Sequence, residues 1–379
     1  MTGAALRPSH PRRVLVFYIS GHAFGHASRC IEIINAVLAS DAAAEIVVRT
    51  SAARWLFDVT VKGRIEFHER VCDTGVIQRD SLHLDERRTI EEAAGFMAEL
   101  EPMAQAEAAF LRQRGATRVV GDIPPLAFRA AHLAGMPAIA IGNFTWDWIY
   151  EGYREALEGS PDLLPSIRRA YRHATLALRL PMCGGFDGWR APIVDIPFVA
   201  RHSARPAGEV RDRIGVPRGS RMALASFGGL GITGLPLEPL ARLDGWRVVT
   251  TAHALEALGP VPPGVCVLED KAVYAKGLRY EDLVRAADVV VTKPGYGIIA
   301  ECIANDAAIV YTDRGRFPEY EVLVEAMPRY LRTRFMPRED LFTGRWGDHL
   351  DAVIAAPTPP ERPRTDGSLV AAGHLLAAS

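Results

Sequence analysis

Short runs of β-branched and other apolar residues alternate with longer amphipathic stretches along almost the entire chain, and this alternation restricts the folds open to it. In the first half the runs are RVLVFYI, AEIVVRT, RIEFHE, RVVGD and PAIAIGN; in the second they are MALASFG, WRVVTT, GVCVLE, DVVVTK and AAIVYTD. Strands that are apolar on both faces belong to parallel sheets covered by helices on two sides. The stretches between them, such as TIEEAAGFMAELEPMAQAEAAFLRQRG and EDLVRAA, carry the helical period. The expected class is α/β, built of doubly wound, Rossmann-like sheets.

A chain of 379 residues is long for one such domain and suits two. The series breaks between residues 180 and 215, where Pro, Gly and Arg accumulate without a long periodic segment, as in a linker. The expected division is an N-terminal domain over 1–200 and a C-terminal domain over 201–379, with a hinge near 198–210. A Pro-rich excursion, APTPPERPRTDGS, precedes a last short helix, LVAAGHLLAA, which is a candidate to pack back on the N-terminal domain. Two doubly wound domains imply a ligand cleft between them at the C-terminal ends of the strands.

Lys and Arg total 44 against 45 Asp and Glu, so bulk charge gives no reason to expect a nucleic-acid partner. The cysteines, Cys30, Cys72, Cys183, Cys266 and Cys302, are scattered and form no CxxC, which fits reduced thiols in a cytoplasmic protein and neither a disulfide frame nor a zinc site. The N-terminus is polar and basic and the first apolar run is short, so neither a signal peptide nor a membrane span is expected. Oligomeric state leaves no signal.

Glycine turns at strand ends carry the candidate chemistry. The first, FYISGHAFGHASRC, places His22 and His26 around Gly25 where a strand gives way to a helix. Glycines there let backbone approach a ligand, and the helix start offers free N–H groups with a partial positive charge. The spacing is neither GxGxxG nor a Walker loop, and it lacks the Glu and the third ligand of a zinc helix. A plain turn with solvated imidazoles is the competing reading. A second turn, LASFGGLG, contains Gly228 and Gly229. The third is Lys293-Pro-Gly295-Tyr296-Gly297 after the strand DVVVTK, followed by Glu301 one turn into a helix. Its amides and Lys293 suit a diphosphate, and Glu301 suits the 2′/3′ diol of a ribose; a surface acid and a solvated lysine are the bland alternative. Asp122, ending RVVGD, either orients a histidine, acts as a base itself or caps its turn. The cluster NFTWDWIYEGY offers Phe144, Trp146 and Trp148 as stacking faces for an acceptor, or as interdomain packing.

The pattern A-D-x-x-V-x-K-x-G-x-x-x-x-x-E over 287–301 resembles the donor-binding segment of GT-B glycosyltransferases of the MurG type. The blocks YISGHAFGHASR, VVGDIPPLAFRAAHLAGMPAIAIGNFTWDWIY, VARHSARPAGEVRDRIGVP and TKPGYGIIAECIANDAAIVYTDRGRFPEYEVL resemble the glycosyltransferase-like N-terminal half of plant arabinokinases. No Gly/Ser-rich ATP loop of a GHMP kinase follows, so kinase activity does not carry over. The resemblance implies a GT-B fold, with the donor on the C-terminal domain and the acceptor on the N-terminal one. It implies inverting transfer from a nucleotide sugar, UDP being the expected carrier, to a small-molecule acceptor without metal or other cofactor. On this basis His26 is the expected base, with His22 and Asp122 as competitors. Glu319 is expected at the donor-sugar hydroxyls, and Arg201 at the phosphates when the cleft closes. A GT-B hydrolase that passes the sugar of a UDP-sugar to water, a nucleotide-sugar 2-epimerase and a silent nucleotide-sugar-binding protein are the competing functions.

Overall fold

The computed structural model describes residues 12–228, 231, 232, 234–251 and 261–377. Two all-parallel sheets organise the chain. The first contains β1 (Val14–Ile19), β2 (Glu45–Thr50), β3 (Glu66–Glu69), β4 (Arg118–Asp122), β5 (Ala138–Gly142), β6 (Leu176–Arg179) and β7 (Ile193–Asp195), in the order β3-β2-β1-β4-β5-β6-β7. The second contains β8 (Arg221–Ser226), β9 (Trp246–Thr251), β10 (Val265–Leu268), β11 (Val289–Thr292), β12 (Ala308–Tyr311) and β13 (Thr333–Phe335), in the order β10-β9-β8-β11-β12-β13. Every residue of β1, β4, β5 and β11 is buried, which is why these strands read as apolar runs, with the charged Arg118 and Asp122 only at the two ends of β4.

The strand order reverses between β1 and β4 in the first sheet and between β8 and β11 in the second. At such a point successive crossovers leave on opposite faces and open a crevice at the C-terminal edge. The register aligns Ile19 with Asp122 and Ser226 with Thr292, so the turns after all four strands border the two crevices.

Three strands, β6, β7 and β13, escape the sequence reading. They are three or four residues long, too short to show a period, and β7 and β13 lie at sheet edges. The segment 180–215 is also more than a linker: it holds β7 and a helix, Ala207–Ile214, whose charged sequence AGEVRDRI buries only Val210 and Ile214.

The helix Gly367–Leu376 packs against the first helix of the chain, Ala23–Ser40, and its Ala371, Ala372 and Leu375 enter the core beside β1 and β2. Arg118 in β4 donates to the backbone oxygens of Leu375 and, at 3.1 Å, Ala377, holding the end of that helix. Leu375 is 1% exposed. Leu375→Ala should therefore destabilise the protein by about 2–5 kcal/mol, read as a lower urea midpoint; an unmoved midpoint would mean the helix is not docked in solution.

Candidate active site

The two crevices open into one cavity of about 240 Å³ between the lobes. The first lobe contributes His22, Phe24, Gly25, His26, Arg29, Trp55, Phe144 and Trp146, and the second Gly228, Tyr274, Tyr280, Lys293, Gly295, Tyr296, Gly297, Glu301, Arg314 and Glu319, with Arg201 from the connection between them. The helices Ala23–Ser40 and Tyr296–Asn305 both begin here. Neither has a side-chain cap or an acidic residue in its first turn, so the free N–H groups of both ends are left for a ligand. A Cβ placed on Gly297 would lie 3.9 Å from the Cα of Gly25, so the two helix starts face each other without a side chain between them.

His26 is 6% exposed and its Nδ1 lies 3.0 Å from Asp122 Oδ1. Asp122 is fully buried and also accepts from Arg29 Nε at 3.0 Å, Arg29 Nη2 at 2.6 Å and Cys30 Sγ at 3.1 Å. Burial by itself would raise this carboxyl, but the charges and hydrogen bonds of Arg29 and His26 outweigh it and hold Asp122 well below the usual carboxylate range. An ionised Asp122 can only accept, so a proton on His26 Nδ1 completes this contact and leaves Nε2 as the free lone pair, while Arg29 Nη2, a donor, lies 3.2 Å from the same Nδ1.

His22 differs. Burial, then the charges of His26, Arg314 and Lys293, push it down to about 3, and its Nε2 sits 3.3 Å from Gln78 Nε2. Gly75, at φ 61°, lets the loop after β3 close against this ring, since a Cβ there would approach His22 Cβ to 2.6 Å. The same loop crosses to the second lobe. Ser81 donates to the Phe227 and Gly231 carbonyls, and Leu82, 1% exposed, is inserted in the second lobe's core beside Ala225 and Phe227.

On the second lobe Glu301 is paired with Arg201 through Oε1, while its buried Oε2 has no partner among the described residues. Burial raises the Glu301 carboxyl to about 7 against the pull of Arg201. The guanidinium of Arg201 is held by Glu301, lies 3.6 Å from Glu281 and sits over Tyr280 at the edge of the cavity. Glu319 is buried and paired with Arg314 at the cavity wall. Burial, and then the charge of Arg314, lower Lys293 to about 7.

Of the stacking candidates, Phe144 borders the cavity and lies 5.7 Å from the Tyr296 ring of the other lobe. Trp146 touches the cavity but is anchored in the core, its Nε1 donating to Asp73 at 2.8 Å. Trp148 is not in the cavity wall, which corrects the sequence expectation: its ring packs where a Cβ on Gly184 would lie, 2.3 Å away. The WDW spacing on a helix turns the second tryptophan away from the first. Gly229 lies outside the described residues. Sequence reasoning passed over Arg29, Arg314, Trp55 and Tyr274. Only Arg29 left a signal, three residues after His26 on one helix face; the others come to the site through tertiary contacts. Among the described residues no group of three or more His, Cys, Asp or Glu side chains is placed to hold a metal ion, and no helix is long and apolar enough to cross a membrane.

Two parallel-sheet lobes that meet at their switch points form the GT-B architecture, the fold of a large set of glycosyltransferases. Comparison with solved structures agrees. CalG4, the calicheamicin glycosyltransferase, superposes with a TM-score of 0.60 at 15% identity, covering 96% of each chain. Phytolacca americana UGT2, solved with UDP-2fluoro-glucose and pterostilbene, gives 0.58 at 12% identity, covering 96% of this chain and 94% of that one. Among curated proteins, L-arabinokinase of Arabidopsis thaliana is 28% identical over 366 residues, 96% of this chain. The chain spans 34% of that relative's length. No family model matches.

A lysine that titrates near 7 takes up a proton when an anion lands on it, because the anion raises its affinity for protons. At about pH 8, binding of inorganic pyrophosphate should thus draw up close to one proton beyond those the ligand itself exchanges, and at about pH 6 very little beyond them. Calorimetry in buffers of different ionisation enthalpy measures this directly, and Lys293→Met should abolish the uptake.

Proposed function

We propose that this chain is a glycosyltransferase that moves a sugar from a nucleotide sugar to a hydroxyl of a small acceptor, with inversion at the anomeric carbon. One observation carries the reading: an oriented histidine on one lobe and a lysine–glycine–glutamate turn on the other line a single cavity. The unpartnered Oε2 of Glu301 takes a ribose hydroxyl. The uncapped helix starts and Lys293 take the diphosphate, supplying counter-charge from the protein itself, so the reading calls on no metal ion. Uridine is the carrier we favour, in line with the resemblance to MurG-type donor segments. The free cysteines fit a reducing compartment such as the cytoplasm.

The acceptor hydroxyl gives its proton to His26 Nε2 as its oxygen attacks the anomeric carbon. The bond from that carbon to the diphosphate oxygen breaks, and its electron pair leaves with the diphosphate onto the amides and Lys293. Asp122 is enclosed by its donors and orients the base instead of acting as one. His22, held neutral and bonded to Gln78, lines the acceptor side.

His26→Ala should lower kcat by about 10²–10⁴-fold with UDP affinity unchanged, because a base acts in the transition state. Glu301→Ala should weaken UDP binding by about 1–3 kcal/mol in calorimetry. UDP-sugars incubated with and without an acceptor panel separate the readings: stoichiometric UDP and free sugar without acceptor would replace transfer by hydrolysis, a rearranged free sugar would point to epimerisation, and binding without any turnover would leave a silent binder.

A further inference from the structure

The His26–Asp122 pair has a third member. Arg29, one turn beyond His26 on the helix Ala23–Ser40, meets the same carboxylate with a two-pronged fork, Nε to Oδ2 at 3.0 Å and Nη2 to Oδ1 at 2.6 Å. Its Nη2 also lies 3.2 Å from His26 Nδ1, so guanidinium and imidazole converge on one carboxylate oxygen. The remaining prong, Nη1, donates to Asn143 Oδ1 at 2.6 Å, and Asn143 is itself tied to the Pro181 carbonyl at 2.7 Å. The Arg29 side chain is 10% exposed. Orienting a histidine needs only one carboxylate. Burying a guanidinium there as well carries a desolvation penalty that ordinary packing would avoid.

We propose that Arg29 is a positioning residue for the base: its two-pronged fork fixes the Asp122 carboxylate against Nδ1 of His26, so that the imidazole is held with Nε2 as the free lone pair. The inference rests on the reading of His26 as the base. Without the guanidinium, a carboxylate buried this deeply is free to take a proton. It would then donate to Nδ1, the imidazole proton would move to Nε2, and the nitrogen facing the acceptor would lose its lone pair. If Asp122 instead remained ionised, its whole charge would fall on the imidazole and stabilise the protonated ring. Either result removes a working base at neutral pH. Arg29 opposes both, because its planar fork is always charged and satisfies two lone pairs at once.

Other titratable groups face this cluster. His22 comes from the β1 turn, Asp73 from the loop after β3, Cys30 from the same helix and Tyr296 from the opposite lobe. Asp73 is engaged by Ser20 and Trp146, at 2.8 Å each. All four stay in place in the test.

The test compares Arg29→Met, Arg29→Lys and His26→Ala. Arg29→Met should lower kcat by about tenfold to a hundredfold with UDP affinity unchanged, and should move the acid limb of the kcat/KM profile to higher pH by roughly one unit. Arg29→Lys retains the charge and should return the limb toward its original position while recovering only part of kcat, since an ammonium lacks the fork. Nitrogen-15 NMR of the histidine ring in the unliganded protein reads the tautomer and titration of His26 without any turnover. It should show the Nδ1–H form in the parent protein and a shifted titration in Arg29→Met. An acid limb and a ring titration both unmoved in Arg29→Met would overturn the proposal even if activity fell, because a loss of packing alone has that signature. A fully active His26→Ala would instead overturn the reading of the base, and the NMR arm would still decide whether Arg29 governs the Asp122–His26 pair.

Discussion

A parallel sheet whose strand order reverses cannot close its own C-terminal edge at the reversal. The chain leaves one strand toward one face and its neighbour toward the other, and no crossover helix covers the gap. This protein contains that constraint twice, between β1 and β4 and between β8 and β11, and the two gaps are set mouth to mouth. The helices that start at the gaps point their uncapped N-termini at the same space. Gly297 faces Gly25 across the gap, a Cβ on it lying 3.9 Å from the Gly25 Cα. The cavity thus follows from topology, and its positive ends follow from where helices must begin.

Charge inside this region is arranged in pairs. Asp122 has Arg29, Glu301 has Arg201 and Glu319 has Arg314, each pair buried or nearly so. Buried pairs of this kind contribute little net stability, because desolvation offsets the attraction. Their effect is on geometry: each arginine fixes the carboxylate it faces, so that Asp122 meets His26 through an oxygen it shares with Arg29 and Glu301 keeps Oε2 without a partner among the described residues. The cost of moving charge during a reaction is low when the surrounding dipoles are already oriented. Lys293 stands apart as a lining cation with no carboxylate at salt-bridge distance among the described residues, which leaves it available to an anion from outside.

The loop after β3 shows how the lobes are joined as well as separated. Leu82 is a first-lobe residue in the second lobe's core, and Arg338 of the second lobe reaches back to His83 at 3.0 Å. The loop draws Gln78 and Gly75 over His22 on its way. Nothing in DTGVIQRDSLHLD announces this, because one leucine in a polar stretch has no period to reveal where it will be buried.

The sequence by itself determined the α/β class and the glycine turns at strand ends. Those properties are local: burial on both faces writes apolar runs, and a strand-to-helix turn calls for glycine. His22, His26, Lys293 and Glu301 were recognisable because each sits at a fixed offset from such a turn. Only the tertiary structure decided their partners. Asp122 meets Arg29 and His26 because β4 is laid beside β1, and Arg201 meets Glu301 across a hundred residues of chain. Trp148 turned away from the cavity while Trp55 and Tyr274 entered it. Which side chains share a pocket depends on sheet order and lobe packing, and these arise from many weak contacts between distant segments that leave no mark in any short window of sequence.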